Sequence, residues 1–138
     1  MFESLKGRWK EARAQVLRKE AEDAMMRIRA LPQEVNSRAV VSLATAHQVL
    51  VNEAGPIENI SNQGKTKLSK ILTAKAREAF EMDMGRGYGL AILSMYLEAS
   101  CLPGKDAQFV HETTKGLLDA ALQVVAGMDQ ALAERKGS

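Results

Sequence analysis

Between Gly64 and Cys101 the apolar residues return at three- and four-residue steps, first as Leu68, Ile71, Leu72, Ala76, Ala79 and Phe80 and later as Leu90, Ile92, Leu93 and Leu97. That period belongs to the α-helix, which brings a side chain back to one face about every 3.6 residues. Between the two runs lies a polar, glycine-spaced DMGRGYG at 83–89. Gly85, Gly87 and Gly89 each cost a helix about 1 kcal/mol relative to Ala. The stretch therefore reads as a central helix that is either kinked at 83–89 or split there into two by a tight turn. The rest of the chain is expected to pack around it.

The flanking segments carry the same period. Residues 2–30 read as one long helix in which Phe2, Leu5, Trp9, Ala12 and Val16 form a stripe. The stripe then moves sideways to Leu17, Ala21, Ala24, Met25 and Ile28, so this helix touches two different surfaces, and its first half is expected to meet another subunit. Leu31-Pro32 stops it, because proline disfavours helix at the residue before it and suits the first position of the next. A second helix follows from about Pro32 to Asn52. Its AVVSLATAHQVLV is apolar nearly all round, as in a helix enclosed by neighbours; a strand over Val49–Val51 is the lesser alternative. Residues 57–63 read as a loop, with Ser61 or Asn62 placed to cap the next helix. After Leu102-Pro103-Gly104 a last helix runs from Asp106, a candidate N-cap, to about Glu134, and Val110, Thr114, Leu117, Leu118, Ala121, Val125, Met128 and Leu132 form its expected buried stripe.

These segments predict an all-α fold: a compact bundle of four to five helices, mostly antiparallel, with a long N-terminal helix and a single domain over 1–138. With 46 % hydrophobic residues and 26 % charged ones the chain can form a core. Only 4 % of it is aromatic, so Leu, Val, Ala, Ile and the seven Met are expected to fill that core. The single Cys101 makes no internal disulfide and suits a reducing compartment. The N-terminus lacks the apolar run of a secretory signal, and the longest stretches free of Asp, Glu, Lys and Arg, 39–52 and 87–97, are too short to span a bilayer. The expected location is cytoplasmic.

The net charge of +2 conceals an uneven distribution. Residues 1–19 carry Lys6, Arg8, Lys10, Arg13, Arg18 and Lys19 against Glu3 and Glu11. Residues 64–77 carry five cations and no acid, while 106–134 carry five acids against Lys115 alone. Pairing of basic and acidic helices, within the chain or between chains, is the ordinary explanation. A lysine face for nucleic acid is the sharper alternative, but it lacks the interleaved aromatics of a single-strand binder. A membrane contact by Phe2, Leu5 and Trp9 is weakened by Glu3 and Glu11.

Catalytic and metal motifs fare poorly. Residues 59–66 approach a phosphate loop, but Asn59 stands where the first glycine belongs and no strand precedes it. Gly85, Arg86, Gly87, Tyr88 and Gly89 lack dinucleotide-fingerprint spacing; Arg86, Tyr88 and Gly87, with Lys65, remain candidate contacts for a small anion or ligand. The ordinary reading of those glycines is close helix approach or a turn. His47 and His111 belong to no ligating pair; Asp83 and Glu81 are the only acids offered as metal partners for His47. No catalytic group and no cofactor is assigned. The expectation is a non-catalytic helical interaction or scaffold module, homodimeric through Phe2, Leu5, Trp9 and Val16, since Trp and Phe are typical interface anchors. Small-ligand binding at Asp83–Gly89 is the first alternative and nucleic-acid binding by the 65–77 face the second.

Overall fold

A computed structural model describes residues 2–136 of the chain, with side chains from Leu5 onward. Its elements are α1 (Phe2–Arg29), α2 (Gln33–Ala54), a 3-10 turn (Ile57–Asn59), α3 (Asn62–Met82), α4 (Met84–Ala99) and α5 (Gly104–Lys136). No strand occurs among the described residues, and Val49–Val51 is helical. No helix is long and apolar enough to cross a membrane.

The fold is an all-α bundle built around α4. Twelve of the sixteen residues of α4 are buried, Leu93 and Leu97 completely, and the other four helices all pack on it. The sequence break at 83–89 turns out to be a single residue. Asp83 is extended; its N–H donates to the Ala79 carbonyl at 2.7 Å and closes α3, while its carboxylate accepts from Gly85 N–H at 3.1 Å and caps α4. One capping side chain thus ends one helix and starts the next. The three glycines lie inside α4 and serve close approach. A Cβ on Gly85 would sit 2.6 Å from the Val35 carbonyl, and one on Gly89 2.8 Å from the Ala39 carbonyl and the Leu43 nitrogen. Both therefore admit the α2 backbone itself. The order of these contacts shows α2 running parallel to α4. Gly87 instead lies beneath the ring of Phe80.

On its other side α4 meets α3 through a polar seam. Ser94 Oγ donates to the Ser69 carbonyl at 2.8 Å, Ser69 Oγ lies 3.1 Å from the Ser94 carbonyl, and Thr73 Oγ1 is 2.7 Å from Ser94 Oγ. Small side chains bring the axes close, and each buried hydroxyl has a partner, so burying them carries little penalty. With Phe80 opposite Gly87 and Ser69 opposite Ser94, α3 runs antiparallel to α4. Ser61 caps α3 by accepting from Gly64 N–H at 3.1 Å.

Helix α1 docks along α4 in the antiparallel sense. Arg13 grips Glu98 near the end of α4 with two nitrogens, one at 2.8 Å, and Arg18 reaches Asp106 at 3.1 Å while lying over the Phe109 ring at 4.2 Å. Ala14, Leu17 and Ala21 are the buried face of α1. Helix α5 meets α1 at Asp106 and Phe109 and α4 at His111, which stacks on Tyr96. Further along, its Leu118 and Leu122 approach His47 of α2.

Four expectations need correction. Asp106 is not the N-cap of α5, because Gly104, at φ 93°, opens the helix two residues earlier and leaves Asp106 free to pair with Arg18. Methionine contributes little to the core: Met95 is buried, but Met26, Met82, Met84 and Met128 are exposed, and the volume is supplied by Leu, Ala, Ile57, Ile92, Val110, Tyr88 and Tyr96. Helix α2 is not enclosed, since Val41 and Val49 face solvent on the side that no helix covers. The stripe of α5 is buried only through Ala121. Val125 is half-buried, and Met128 and Leu132 are exposed because the helix has run past the body.

Candidate functional site

The two faces of α1 separate where the sequence changes stripe. From Arg13 onward the helix is pinned by its ion pairs and by Leu17 and Ala21. Before that point, Leu5–Ala12 contains no buried residue. The outer stripe of Leu5, Trp9, Ala12 and Val16 lies open, with Trp9 78 % exposed, and Phe2 belongs to a side chain outside the described residues. A shallow depression of about 350 Å³ runs along this stripe. Three of the four interface residues expected from sequence thus share one uncovered face. Lys6 and Arg8 border it.

A second uncovered stripe belongs to α5. Every residue from 126 to 136 is exposed, and Val124, Met128 and Leu132, each about half exposed, follow one another at four-residue steps. Its neighbouring charges are mixed: Asp129 and Glu134 are followed by Arg135 and Lys136. The stripe was legible as periodicity. Its emergence from the body was not, because spacing does not reveal where the neighbouring helices stop.

Between α2 and α3 a groove of about 540 Å³ lies over α4, walled by Val41, Val49, Leu68 and Ile71. It exists because α2 and α3 each press on α4 without closing on one another. Lys75 and Arg86 border it toward the start of α4, and no ion pair ties either side chain among the described residues. The expected ligand cluster at 83–89 is thereby dispersed. Arg86 reaches the groove, whereas Gly87 and Tyr88 are buried, the Tyr88 ring edge-on to Phe80 at 4.9 Å. Lys65 belongs to the first turn of α3, roughly 25 Å along that antiparallel helix from the level of Arg86. Of the four candidate ligand contacts, only Arg86 borders the groove.

Both histidines converge on Tyr96. His111 stacks on it at 4.9 Å, and His47 shares with it a cavity of about 290 Å³ that Glu58, Lys115 and Asp119 also line. His47 Nδ1 is buried without a hydrogen-bond partner among the described residues. Burial lowers the pKa of His47, partly opposed by Glu58 and Asp119, and burial lowers that of His111, assisted by Lys115 and Lys65. Burial likewise raises the Tyr96 pKa. No spacing rule could have gathered these groups, which come from α2, the 3-10 turn, α4 and α5. The proposed acids for His47 are elsewhere: Asp83 pairs with Arg38 Nε at 3.1 Å, about 13 Å along α2 from His47. Among the described residues no three His, Cys, Asp or Glu side chains are grouped to hold a metal ion.

Comparison with protein-family models, with curated proteins and with solved structures found no match to this chain.

Proposed function

We propose that this chain is a non-catalytic helical interaction module that assembles as a homodimer through the outer stripe of α1. The observation that carries the reading is the contrast between the two faces of one helix. Its inner face is held by Leu17, Ala21 and two inter-helix ion pairs, while Leu5, Trp9 and Val16 stand open in a continuous row. A contiguous apolar stripe left in water is unfavourable by roughly 25 cal/mol per Å², and the indole at its centre belongs to a residue type enriched among the anchors of protein interfaces.

Light scattering at micromolar concentration tests this. The wild-type chain is expected to run as a dimer and Trp9→Ala as a monomer with unchanged helical circular dichroism, because the indole contributes little to the fold of its own chain. A wild-type monomer, or a dimer indifferent to the substitution, refutes the reading.

The groove over α4 supports a second reading, a site for a small amphipathic anion, on the observation that Arg86 and Lys75 border an apolar trough. Decanoate as a probe, titrated by thermal shift against wild type and Arg86→Ala, tests it. Equal stabilisation of the two proteins, or none, removes it.

A further inference from the structure

We infer that the cavity of about 290 Å³ where α2, the 3-10 turn, α4 and α5 meet is a binding site for a primary ammonium group carried on a small apolar body. The cavity shares no residue with the α1 stripe or with the groove over α4. Two of its lining side chains hold polar atoms that the fold leaves unsatisfied. Tyr96 is only 8 % exposed, and its hydroxyl makes no hydrogen bond among the described residues. His47 Nδ1 is buried and equally unpartnered there. By contrast, the buried hydroxyls of Ser69, Ser94 and Thr114 all have partners. Buried polar atoms are nearly always hydrogen-bonded, so two orphans on the wall of one cavity point to a polar occupant.

The charges around the cavity choose the kind of occupant. Glu58 and Asp119 line it, and both act electrostatically on His47 and on Tyr96. Neither carboxylate forms an ion pair among the described residues. Lys115 also lines the cavity, one turn before Asp119, yet the two are not paired. Its charge bears on His111 rather than on His47 or Tyr96. The lining therefore carries two acids against one cation, and the end formed by His47 and Tyr96 is the acidic one.

An ammonium matches that end in charge and in hydrogen bonding. It offers three N–H donors, and the wall offers carboxylate oxygens, the Tyr96 hydroxyl and an imidazole nitrogen. Burial lowers the His47 pKa from 6.5, so the ring is largely uncharged at pH 7 and, with its proton on Nε2, accepts at Nδ1. The Tyr96 ring is held in place by its stack with His111 at 4.9 Å. An anion would face two unpaired carboxylates, and a neutral alcohol would leave their charge unanswered. Val51, Leu118 and Leu122 supply an apolar wall for the body of the ligand. At the roughly 30 Å³ that a water molecule occupies in the liquid, the volume suits about ten non-hydrogen atoms. A simple aliphatic amine and an amino acid with an apolar side chain both carry this group, and Lys115, the remaining cation, distinguishes them.

Thermal shift and isothermal titration calorimetry at pH 7.5 test the site with four probes of one shape: 3-methylbutylamine, leucine, 4-methylpentanoate and 3-methylbutanol. The proteins are wild type, the pair Glu58→Gln with Asp119→Asn, and Lys115→Met; all three positions are exposed, so circular dichroism should be unchanged. At least one of the two ammonium probes is expected to raise the wild-type midpoint, with the acid and the alcohol inert, and the double variant is expected to bind that probe at least about tenfold more weakly. Leucine binding more tightly than the amine, with the advantage lost in Lys115→Met, supports the site and assigns it to an amino acid. The amine binding more tightly, unweakened by Lys115→Met, supports the site and assigns it to a simple amine. No shift with either ammonium probe up to about 10 mM, an equal shift with the acid or the alcohol, or undiminished binding by the double variant overturns the inference.

Discussion

Replacing Gly89 by Ala tests the central packing claim, because two effects of known size oppose each other at that position. In an exposed helix interior, Gly→Ala stabilises by about 1 kcal/mol, since Ala loses less backbone entropy on folding. At Gly89 the new methyl would lie 2.8 Å from three atoms of α2: the Ala39 carbonyl oxygen, the Leu43 nitrogen and the Ser42 Cβ. Two of the three are backbone, so no rotamer change relieves them and α2 must move off α4. Overpacking of this kind costs about 1–3 kcal/mol or more. The methyl also lies where the core of Leu43, Ile92 and Leu93 is assembled, so the displacement is transmitted to well-packed neighbours. Set against a propensity gain of about 1 kcal/mol, the expected outcome is a net loss of up to about 2 kcal/mol. Gly116→Ala, where a Cβ would meet nothing within 4 Å, is the control and should gain up to about 1 kcal/mol. Urea unfolding followed by circular dichroism, with both variants beside wild type, reads the difference. If Gly89→Ala is as stable as Gly116→Ala, the glycines of α4 are not there for helix approach, and the account of the 83–89 segment fails.

Two further outcomes follow from burial. Leu93→Ala, at a fully enclosed site, should cost about 2–5 kcal/mol by chemical denaturation, whereas Met26→Ala on the open side of α1 should stay within about 0.5 kcal/mol. Because burial lowers the pKa of both His47 and His111, the folded chain binds fewer protons than the unfolded one below the unfolded histidine value of about 6.5. Their contribution is complete above that value and is lost as the pH falls below it toward the lowered folded values, so the thermal midpoint should drop as the pH falls below about 6.5; a His47→Gln, His111→Gln double variant that keeps the full slope would contradict this.

The stripes of Leu17, Ala21 and Ala24, of Leu68, Leu72 and Ala76, and of Leu90, Leu93 and Leu97 were legible because a helix must return to its buried face at a regular step, and that step is written in one dimension. The stops were legible too, at Pro32 and Pro103, where backbone chemistry is local. Less was visible at 83–89. Glycines that break an isolated helix and glycines that admit a neighbouring one look alike in sequence, and only the 2.6–2.8 Å approaches of α2 to Gly85 and Gly89 distinguish them.

The order of residues alone therefore determined that this chain forms helices, roughly where they begin and end, and which side of each is apolar, since all three depend on propensity and on neighbours within one turn. Which apolar sides find a partner was decided only in three dimensions. Trp9 and Leu132 obey the same period as Leu17 and Leu118, yet the first pair stands in water and the second is buried, because burial depends on what the remaining helices happen to cover. The gathering of His47, Glu58, Tyr96 and Asp119 has the same origin: four elements meet there, and contacts between distant segments leave no period to read.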